Sequence, residues 1–512
     1  MPVKDSRTAA LAGAPLLLLR RLGVHTHQEP VVYILEDSPI CRSEGFEAQS
    51  RVRIDSGGRS VIATLNVVHG DLLADGEAGL SEAAWRALDP AAGALGRVTH
   101  AMPPASFSHV RGKIHGKRLQ QAAMDAVISE IVAGRYTDVQ LASFVTTCAN
   151  SALDDDEITS LTRAMIAVGD RMTWARTPIV DKHSVGGLPG NRTTPLVVAI
   201  VAACGLTMPK TSSRAITSPS GTADTMETMA PVDLDLAAMR HVVDSEGGCV
   251  VWGGAAHLSP ADDVLIRVER ALELDSAGQL IASILSKKAA AGSTHVVIDM
   301  PIGETAKVRS HDTATKLSRS LIAVGKRVGL EVRVSLGDGR VPIGRGIGPA
   351  LEARDVLSVF HREVGAPDDL RRRALELAGD ILEMAGVAEP GEGQARAAAV
   401  LSSGAAWRKF EAICRAQGGM RTPPVATHHR VIEATSAGAV SRMDNRGLSR
   451  VAKLAGAPAA AAAGLELHVG LGEVVEAGQP LFSIHAETGG ELAYALAYME
   501  SIGALIDVET RR

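Results

Sequence analysis

The stretch from Asp181 to Glu227 limits the possible folds more than any other part of the chain. It reads as a loop, an apolar helix, a strand, a second loop and another helix, a succession that belongs to an α/β layer. Both loops are filled with small polar residues. The first, Asp181-Lys182-His183-Ser184-Val185-Gly186-Gly187, sets a cation, a hydroxyl and two glycines just ahead of the apolar run Pro195 to Ala203. Glycines let backbone N–H groups approach an oxyanion, and a helix N-terminus adds positive potential. The second loop, Thr211 to Thr222, crowds hydroxyl side chains around Arg214, and its Ser-Gly-Thr-Ala-Asp end suits a helix cap. Taken singly, each loop is also ordinary turn chemistry. Two hydroxyl-rich loops facing one sheet edge are expected to cradle a phosphate.

Two nucleotide motifs fail on inspection. A Walker A loop needs G-x-x-x-x-G-K-[ST], and neither Gly186 nor Gly187 is followed in that register. The run Gly344-Arg345-Gly346-Ile347-Gly348-Pro349 puts Pro where the dinucleotide fingerprint needs Gly or Ala.

The strings DKHSVGG, SSRAITSPSGTAD and SILSKKAAAGSTHVVIDMPIG resemble the thymidine phosphorylase family of pentosyltransferases. The likeness is greatest to its longer subgroup, which includes AMP phosphorylase, and it runs from about Val110 to the C-terminus. The resemblance implies phosphorolysis. Inorganic phosphate attacks the anomeric carbon of a nucleoside or nucleotide, releasing the base and leaving a pentose 1-phosphate. It also implies a multidomain α/β architecture: an N-terminal β-domain (1–102), an α-helical lobe (103–178 and 257–291), a large α/β lobe with a mixed sheet of the nucleoside phosphorylase or phosphoribosyltransferase kind (179–256 and 292–420), and a C-terminal barrel-sandwich α+β domain (421–512). The extra N-terminal domain is associated with assembly in that subgroup.

Composition sets bounds on partners. A chain of 512 residues is long enough for two or three domains. Aromatic residues make up 3% of it, which leaves no stacking platform for long nucleic acid. A net charge of −5 with both signs interspersed gives no footprint for DNA or an anionic membrane. The five cysteines are far apart and form no C-x-x-C pair, which fits reduced thiols in a cytoplasm. The apolar run Ala9 to Leu19 has the length of a signal-peptide core but contains Pro15 and ends on Arg20-Arg21 with no small-x-small cleavage site. A strand over Leu16 to Leu22 is the expectation there.

Further along, VVYIL, QSRVRI and SVIATLNVV alternate as strands, and Ala101 to Ser106 reads as a linker. From Ser108 to Trp174, and again from Asp262 to Ala291, apolar residues recur at helical spacing. Sheet-like segments, THVVIDMPIG and LEVRVSLGDG, flank a helix around Ala314 to Gly329. Two chain crossings between lobes predict a hinge, with the site in the cleft. After Gly386 the chain reads as loosened through EPGEGQARAAA. The last domain is similar to biotinyl and lipoyl carriers, yet Val440 to Val451 offers no Lys for such a role.

By position in the family motifs, Lys182, Ser184, Thr194, Ser212 and Thr222 carry over as phosphate ligands, with Gly187 beside them. Pro189 lengthens the first loop relative to short family members, which leaves Thr193 as an alternative to Thr194. His183 is implied as the donor or acid toward the base. Ser283 and Lys287 lie one helical turn apart on one face, where they can read a base edge together. The resemblance to AMP phosphorylase adds Asp275 as a proton donor, although an N-cap at Asp275-Ser276 explains it equally. It also adds Ser213, Arg214, Ala215, Ile216, Thr217, Ser218 and Lys307 as nucleotide contacts. Short thymidine phosphorylases place an Arg against thymine where this chain has Val268, flanked by Arg267 and Arg270. No metal and no cofactor beyond phosphate is implied. The expected partners are a nucleoside or nucleotide, phosphate, and further copies of the chain in a homodimer or larger assembly. The rivals are AMP phosphorolysis, giving ribose 1,5-bisphosphate, and a non-catalytic phosphate-binding assembly protein that keeps the fold.

Overall fold

The computed structural model describes residues 15–26, 29–150, 152–215, 218–254, 258–274 and 276–509. Contacts divide the chain into two compact units, Met1–Ser151 and Ala152–Arg512.

In the first unit, strands β1 (Leu16–Arg21), β2 (Val31–Leu35), β3 (Arg51–Ser56), β4 (Arg59–Val68), β5 (Glu77–Leu80) and β6 (Leu95–His100) close into a barrel in the order β1-β5-β2-β4-β3-β6. Closure follows from the alternation: Val52 and Ile54 point inward with Leu17, Leu19, Ile34 and Leu65, while their neighbours face out. Helices α1 (Pro39–Glu44) and α2 (Glu82–Leu88) accompany the barrel, and α3 (Phe107–Ile114), α4 (Gln121–Val132) and α5 (Asp138–Asn150) follow it.

The second unit begins with α6 (Asp155–Ala167), whose start is fixed by a capping box between Asp154 and Glu157. Then come β7 (Val180–Ser184), α7 (Thr193–Ala203), β8 (Met208–Ser212), α8 (Thr222–Glu227), α9 (Leu236–Glu246) and β9 (Gly248–Trp252). Helices α10 (Pro260–Leu272) and α11 (Ala277–Ala290) precede β10 (His295–Ile302), α12 (His311–Arg327) and β11 (Glu331–Asp338). The pairings β11-β10-β7 and β8-β9 are all parallel. A parallel bridge between Ile179 and Thr207, with the Val180 N–H donating to the Thr207 carbonyl at 2.9 Å, joins the two sheets. The expected mixed sheet is therefore parallel within the lobe. Among the described residues the lobe enters antiparallel pairing through β12 (Gly346–Ile347), which pairs with β15 (Gly464–Leu467) of the last domain in a separate sheet.

The strand order β11-β10-β7-β8-β9 reverses direction between β10 and β7. In an open parallel sheet, the crevice outside the carboxyl ends of the strands at such a switch point is where ligands bind. The expected first loop starts later than the sequence suggests, because Asp181 to Ser184 are the buried end of β7.

Helix α7 is apolar on every side and sits in the main core with α13 (Pro349–His361), α14 (Asp368–Met384), α15 (Gly393–Ser402) and α16 (Ala405–Ala416). The segment read as loosened after Gly386 is partly α15. It packs through glycine: a Cβ on Gly393 would lie 2.3 Å from the Gly379 carbonyl oxygen. Strands β13 (His428–Glu433), β14 (Gly438–Met443), β15, β16 (Val474–Val475), β17 (Pro480–Ala486) and β18 (Ile506–Glu509), with α17 (Asn445–Leu454) and α18 (Gly489–Ile502), form the C-terminal domain. Among the described residues no helix is long and apolar enough to cross a membrane.

Phe410 stacks on Phe360 with ring centroids 4.8 Å apart, in the core that supports α7. Phe410→Ala is expected to destabilise the second unit by about 3–5 kcal/mol. Urea unfolding followed by tryptophan fluorescence measures this, and a loss below about 1 kcal/mol would contradict the packing described.

Candidate active site

Lys182 lies in the middle of β7, opposite Val297 of β10, and is 1% exposed. Its ammonium donates to Thr193 Oγ1 at 2.8 Å and stands 3.4 Å from Asp299 Oδ2. Burial pushes the lysine pKa down, and Asp299 opposes that push. Asp299 is itself 1% exposed. Its Oδ1 accepts from Arg373 Nη2 at 2.6 Å and Nε at 3.1 Å, and its Oδ2 accepts from Asn191 Nδ2 at 3.1 Å. Burial alone would raise this carboxyl, but Lys182 and Arg373 outweigh it and hold the pKa below its ordinary value. An ammonium has three donors, so Lys182 keeps one beyond these two partners.

Ser184 closes β7 opposite Asp299, and its hydroxyl receives a long bond, 3.4 Å, from Asn191. Ser184 and Ser212 each stand five residues beyond the Ile179–Thr207 bridge, which sets them level at the carboxyl edge of neighbouring strands. Ser212 is buried, and its hydroxyl has no hydrogen-bond partner among the described residues. The same is true of Asn191 Oδ1. Orphaned buried polar atoms cost free energy unless something satisfies them. Gly186 and Gly187 follow with φ of 88° and 82°, the left-handed region that favours glycine. A Cβ on Gly187 would lie 2.5 Å from the Lys307 amide nitrogen, so this turn packs directly on Lys307. Asn445 of α17 donates to Thr305 Oγ1 at 2.9 Å and to the Gly339 carbonyl at 3.1 Å, tying the last domain to the loop that carries Lys307.

Of the two threonines at the start of α7, both buried, Thr193 is the one taken by Lys182. Thr222 opens α8, and its Oγ1 accepts from Arg192 Nη1 at 2.8 Å. Between them the second loop is held at both ends by Asp224, whose Oδ2 receives the N–H groups of Ala215 at 2.6 Å and Gly221 at 2.8 Å. Arg214 does not face a ligand freely: it pairs with Glu227, Asp224 and Asp233 and lies over the Trp252 ring at 4.9 Å. Ser213 is exposed, and Ser218 donates to the Ser220 carbonyl at 2.9 Å. Ile216 and Thr217 lie outside the described residues, as does Asp275.

On α11, Lys287 donates to Ser283 Oγ at 3.0 Å, as their spacing requires, and also to Asp262 Oδ2 of α10 at 2.8 Å. Between this pair and Lys182 lies a buried charge cluster that the sequence did not reveal. Asp181, fully buried, is 2.8 Å from Lys288 Nζ and 3.8 Å from Lys210 Nζ. Burial first, and Lys288 second, drive the Lys210 pKa well down. His183 is half-buried, and its ring makes no hydrogen bond among the described residues. Burial, then Lys288, Lys287, Lys210 and Lys182, push its pKa well below the ordinary value, so the imidazole is neutral. A neutral imidazole carries one N–H donor and one acceptor. Among the described residues no group of three or more His, Cys, Asp or Glu side chains is placed to hold a metal ion.

Sequence reasoning missed Asp299, Arg373, Arg192, Glu352, Asn191, Asp262, Asp181, Lys210 and Lys288. Asp181 and Lys288 adjoin residues already singled out, and adjacency was their only signal.

Comparison with known proteins gives the family. Residues 176–407 match the α/β domain of the glycosyl transferase family, residues 108–169 its helical bundle domain, and residues 439–502 the pyrimidine nucleoside phosphorylase C-terminal domain. Anthranilate phosphoribosyltransferase from Thermus thermophilus shares the fold, with a TM-score of 0.50 at 21% identity over 60% of this chain and 98% of its own. The class is thus that of pentosyl-transferring glycosyltransferases. A protein of Polaromonas sp. strain JS666 named "putative thymidine phosphorylase" is 62% identical over 492 residues, 96% of either chain. One of the same name from Sphingopyxis alaskensis is 58% identical over 512 residues, 100% of this chain and 99% of its own. The chain belongs to the thymidine phosphorylase family, whose chemistry is the phosphorolysis of nucleosides.

An ordinary histidine titrates near 6.5. At pH 6 the His183 ring is therefore expected to remain neutral while exposed histidines are mostly protonated. Imidazole nitrogen NMR shifts, assigned with a His183→Gln variant, measure this, and a His183 signal titrating near 6.5 would contradict the site's electrostatics.

Proposed function

We propose that the chain cleaves thymidine or a related pyrimidine nucleoside with phosphate, giving free base and (2-deoxy)ribose 1-phosphate. The buried Ser212 hydroxyl, without a partner among the described residues and level with Ser184 beside Lys182 near the switch point of the sheet, is the observation that carries this reading. Lys182, Ser184, Thr194, Ser212 and Thr222, with the backbone at Gly187, hold the phosphate. Charge-assisted and hydroxyl bonds suit its oxygens. A phosphate oxygen forms a bond to C1′ as the bond from C1′ to the base nitrogen breaks. The electron pair departs with the base. The sugar gains positive charge beside the bound anion, and the base gains negative charge. Donors preorganised around that base lower the barrier. Neutral His183 supplies an N–H, and Ser283 and Lys287, held by Asp262, read the base edge. We place the enzyme in the cytoplasm, as a homo-oligomer.

A second reading, AMP phosphorolysis giving ribose 1,5-bisphosphate, is favoured by two observations. Val268 is buried and apolar where an Arg would meet thymine, and Lys307 packs against the anion turn at Gly187. In that reading Asp275 protonates the departing purine, and the loop from Ser213 to Ser218 contacts the nucleotide.

Lys182→Met keeps the side-chain length without the charge. The loss of one charge-assisted contact is worth on the order of 1.5–3 kcal/mol, so the phosphate KM should rise tenfold or more. Unaltered phosphate saturation would overturn the assignment. Asp275→Asn separates the two substrates. If the substrate is thymidine, turnover stays within a fewfold of wild type. If it is AMP, turnover falls steeply while phosphate saturation barely changes. Steady-state rates on thymidine and AMP, for both proteins, decide between them.

A further inference from the structure

Arg192 has no role in the phosphate site read from the family motifs, yet its guanidinium joins three separate segments around it. The residue precedes α7 as its N-cap, without capping through its side chain. Nε donates to Glu352 Oε2 of α13 at 2.6 Å, Nη1 to Thr222 Oγ1 at 2.8 Å, and Nη2 to the Ser220 carbonyl at 3.1 Å. The arginine side chain is 12% exposed and Glu352 is 1% exposed. Glu352 is fixed in turn: Oε2 accepts from Thr225 Oγ1 at 2.9 Å, and Oε1 from the Gly348 N–H at 3.2 Å. A rigid planar fork with all of these partners fixes the distance between the start of α7, which carries Thr194, and the loop that carries Ser212 and Thr222.

The bond to Thr222 also has a direction. A hydroxyl has one proton and two lone pairs. Thr222 Oγ1 uses a lone pair on the guanidinium, and among the described residues nothing accepts its proton. A cation donating to the oxygen makes that proton a better donor. The proton thus has no acceptor among the described residues, and an anion suits it.

We infer that Arg192 is a positioning residue for phosphate: held by Glu352, it orients the Thr222 hydroxyl as a donor and acts on the anion through Thr222. This rests on the phosphorolysis reading above. Two roles compete with it. Arg192 as a direct phosphate ligand would act independently of Thr222, and a purely structural Arg192 would disturb both substrates alike.

A double-substitution cycle tests the inference, using Arg192→Gln, Thr222→Val and the pair. Steady-state kinetics give separate KM values for phosphate and nucleoside, and protection against thermal unfolding by inorganic phosphate reports binding without turnover. Arg192→Gln alone is expected to raise the phosphate KM about tenfold, with less than a twofold change in the nucleoside KM. In the Thr222→Val background the same substitution should change the phosphate KM by less than twofold. If Arg192→Gln does not fold, Glu352→Gln replaces it, with a severalfold rise expected only when Thr222 is present. The inference is overturned by equal factors in both backgrounds, by no change in the wild-type background, or by a parallel loss for both substrates. A wild-type enzyme that neither binds phosphate nor uses it would overturn the phosphorolysis reading and this inference with it. Normal wild-type phosphorolysis with an indifferent Arg192 would overturn the inference alone.

Discussion

The carboxylate of Asp299 is the interaction on which the second unit's site depends. It sits at 1% exposure on β10, where an unpaired charge would not be tolerated, and it is met by Lys182 from β7, Arg373 from α14 and Asn191 from the turn before α7. Removing one partner from such a buried arrangement typically costs about 3–5 kcal/mol, because the remaining charge is left uncompensated. The pairing therefore does more than neutralise. It fixes the height of Lys182 in the sheet and brings the start of α7 against the switch point. Arg373 also donates to the Ser335 and Leu336 carbonyls, at 2.8 and 3.3 Å, which covers part of the exposed edge of β11.

From that anchor the site divides into two electrostatic regions. Around Lys182, Arg192 and Arg373 the acids are Asp299 and Glu352, and among the described residues the Ser212 hydroxyl and the Asn191 side-chain carbonyl are buried without a partner. Around His183 the lysines outnumber the acids, with Lys210 and Lys288 sharing Asp181. Burial first, and the neighbouring lysines after it, push the His183 pKa well down. In the proposed reaction the anion occupies the first region and negative charge develops toward the second.

Much of this was legible in the sequence, for identifiable reasons. The apolar run from Pro195 announced α7, the short alternating strands announced the first β-domain, and the spacing of Ser283 and Lys287 gave their contact directly. What was missed lies where local pattern carries no information. Asp181 to Ser184 is polar enough to read as a loop, but it is a strand end, because its charges find partners far away in sequence: Asp299, Lys288 and Lys210. Arg192 and Glu352 stand 160 positions apart. Helix α15 hid behind a Gly-rich start, because its packing uses the absence of a side chain at Gly393 against Gly379. Barrel closure also could not be read from strands one at a time, since it depends on β1 meeting both β5 and β6.

The central claim is that phosphate, held at the carboxyl edge of β7 and β8, is the group that attacks the sugar. Radiolabelled inorganic phosphate incubated with the enzyme and thymidine, or with AMP, tests it most directly. The account requires label in a pentose phosphate in equimolar amount with the free base, and no base release when phosphate is withheld. Base released at the same rate without phosphate, with no label in the sugar product, would contradict it.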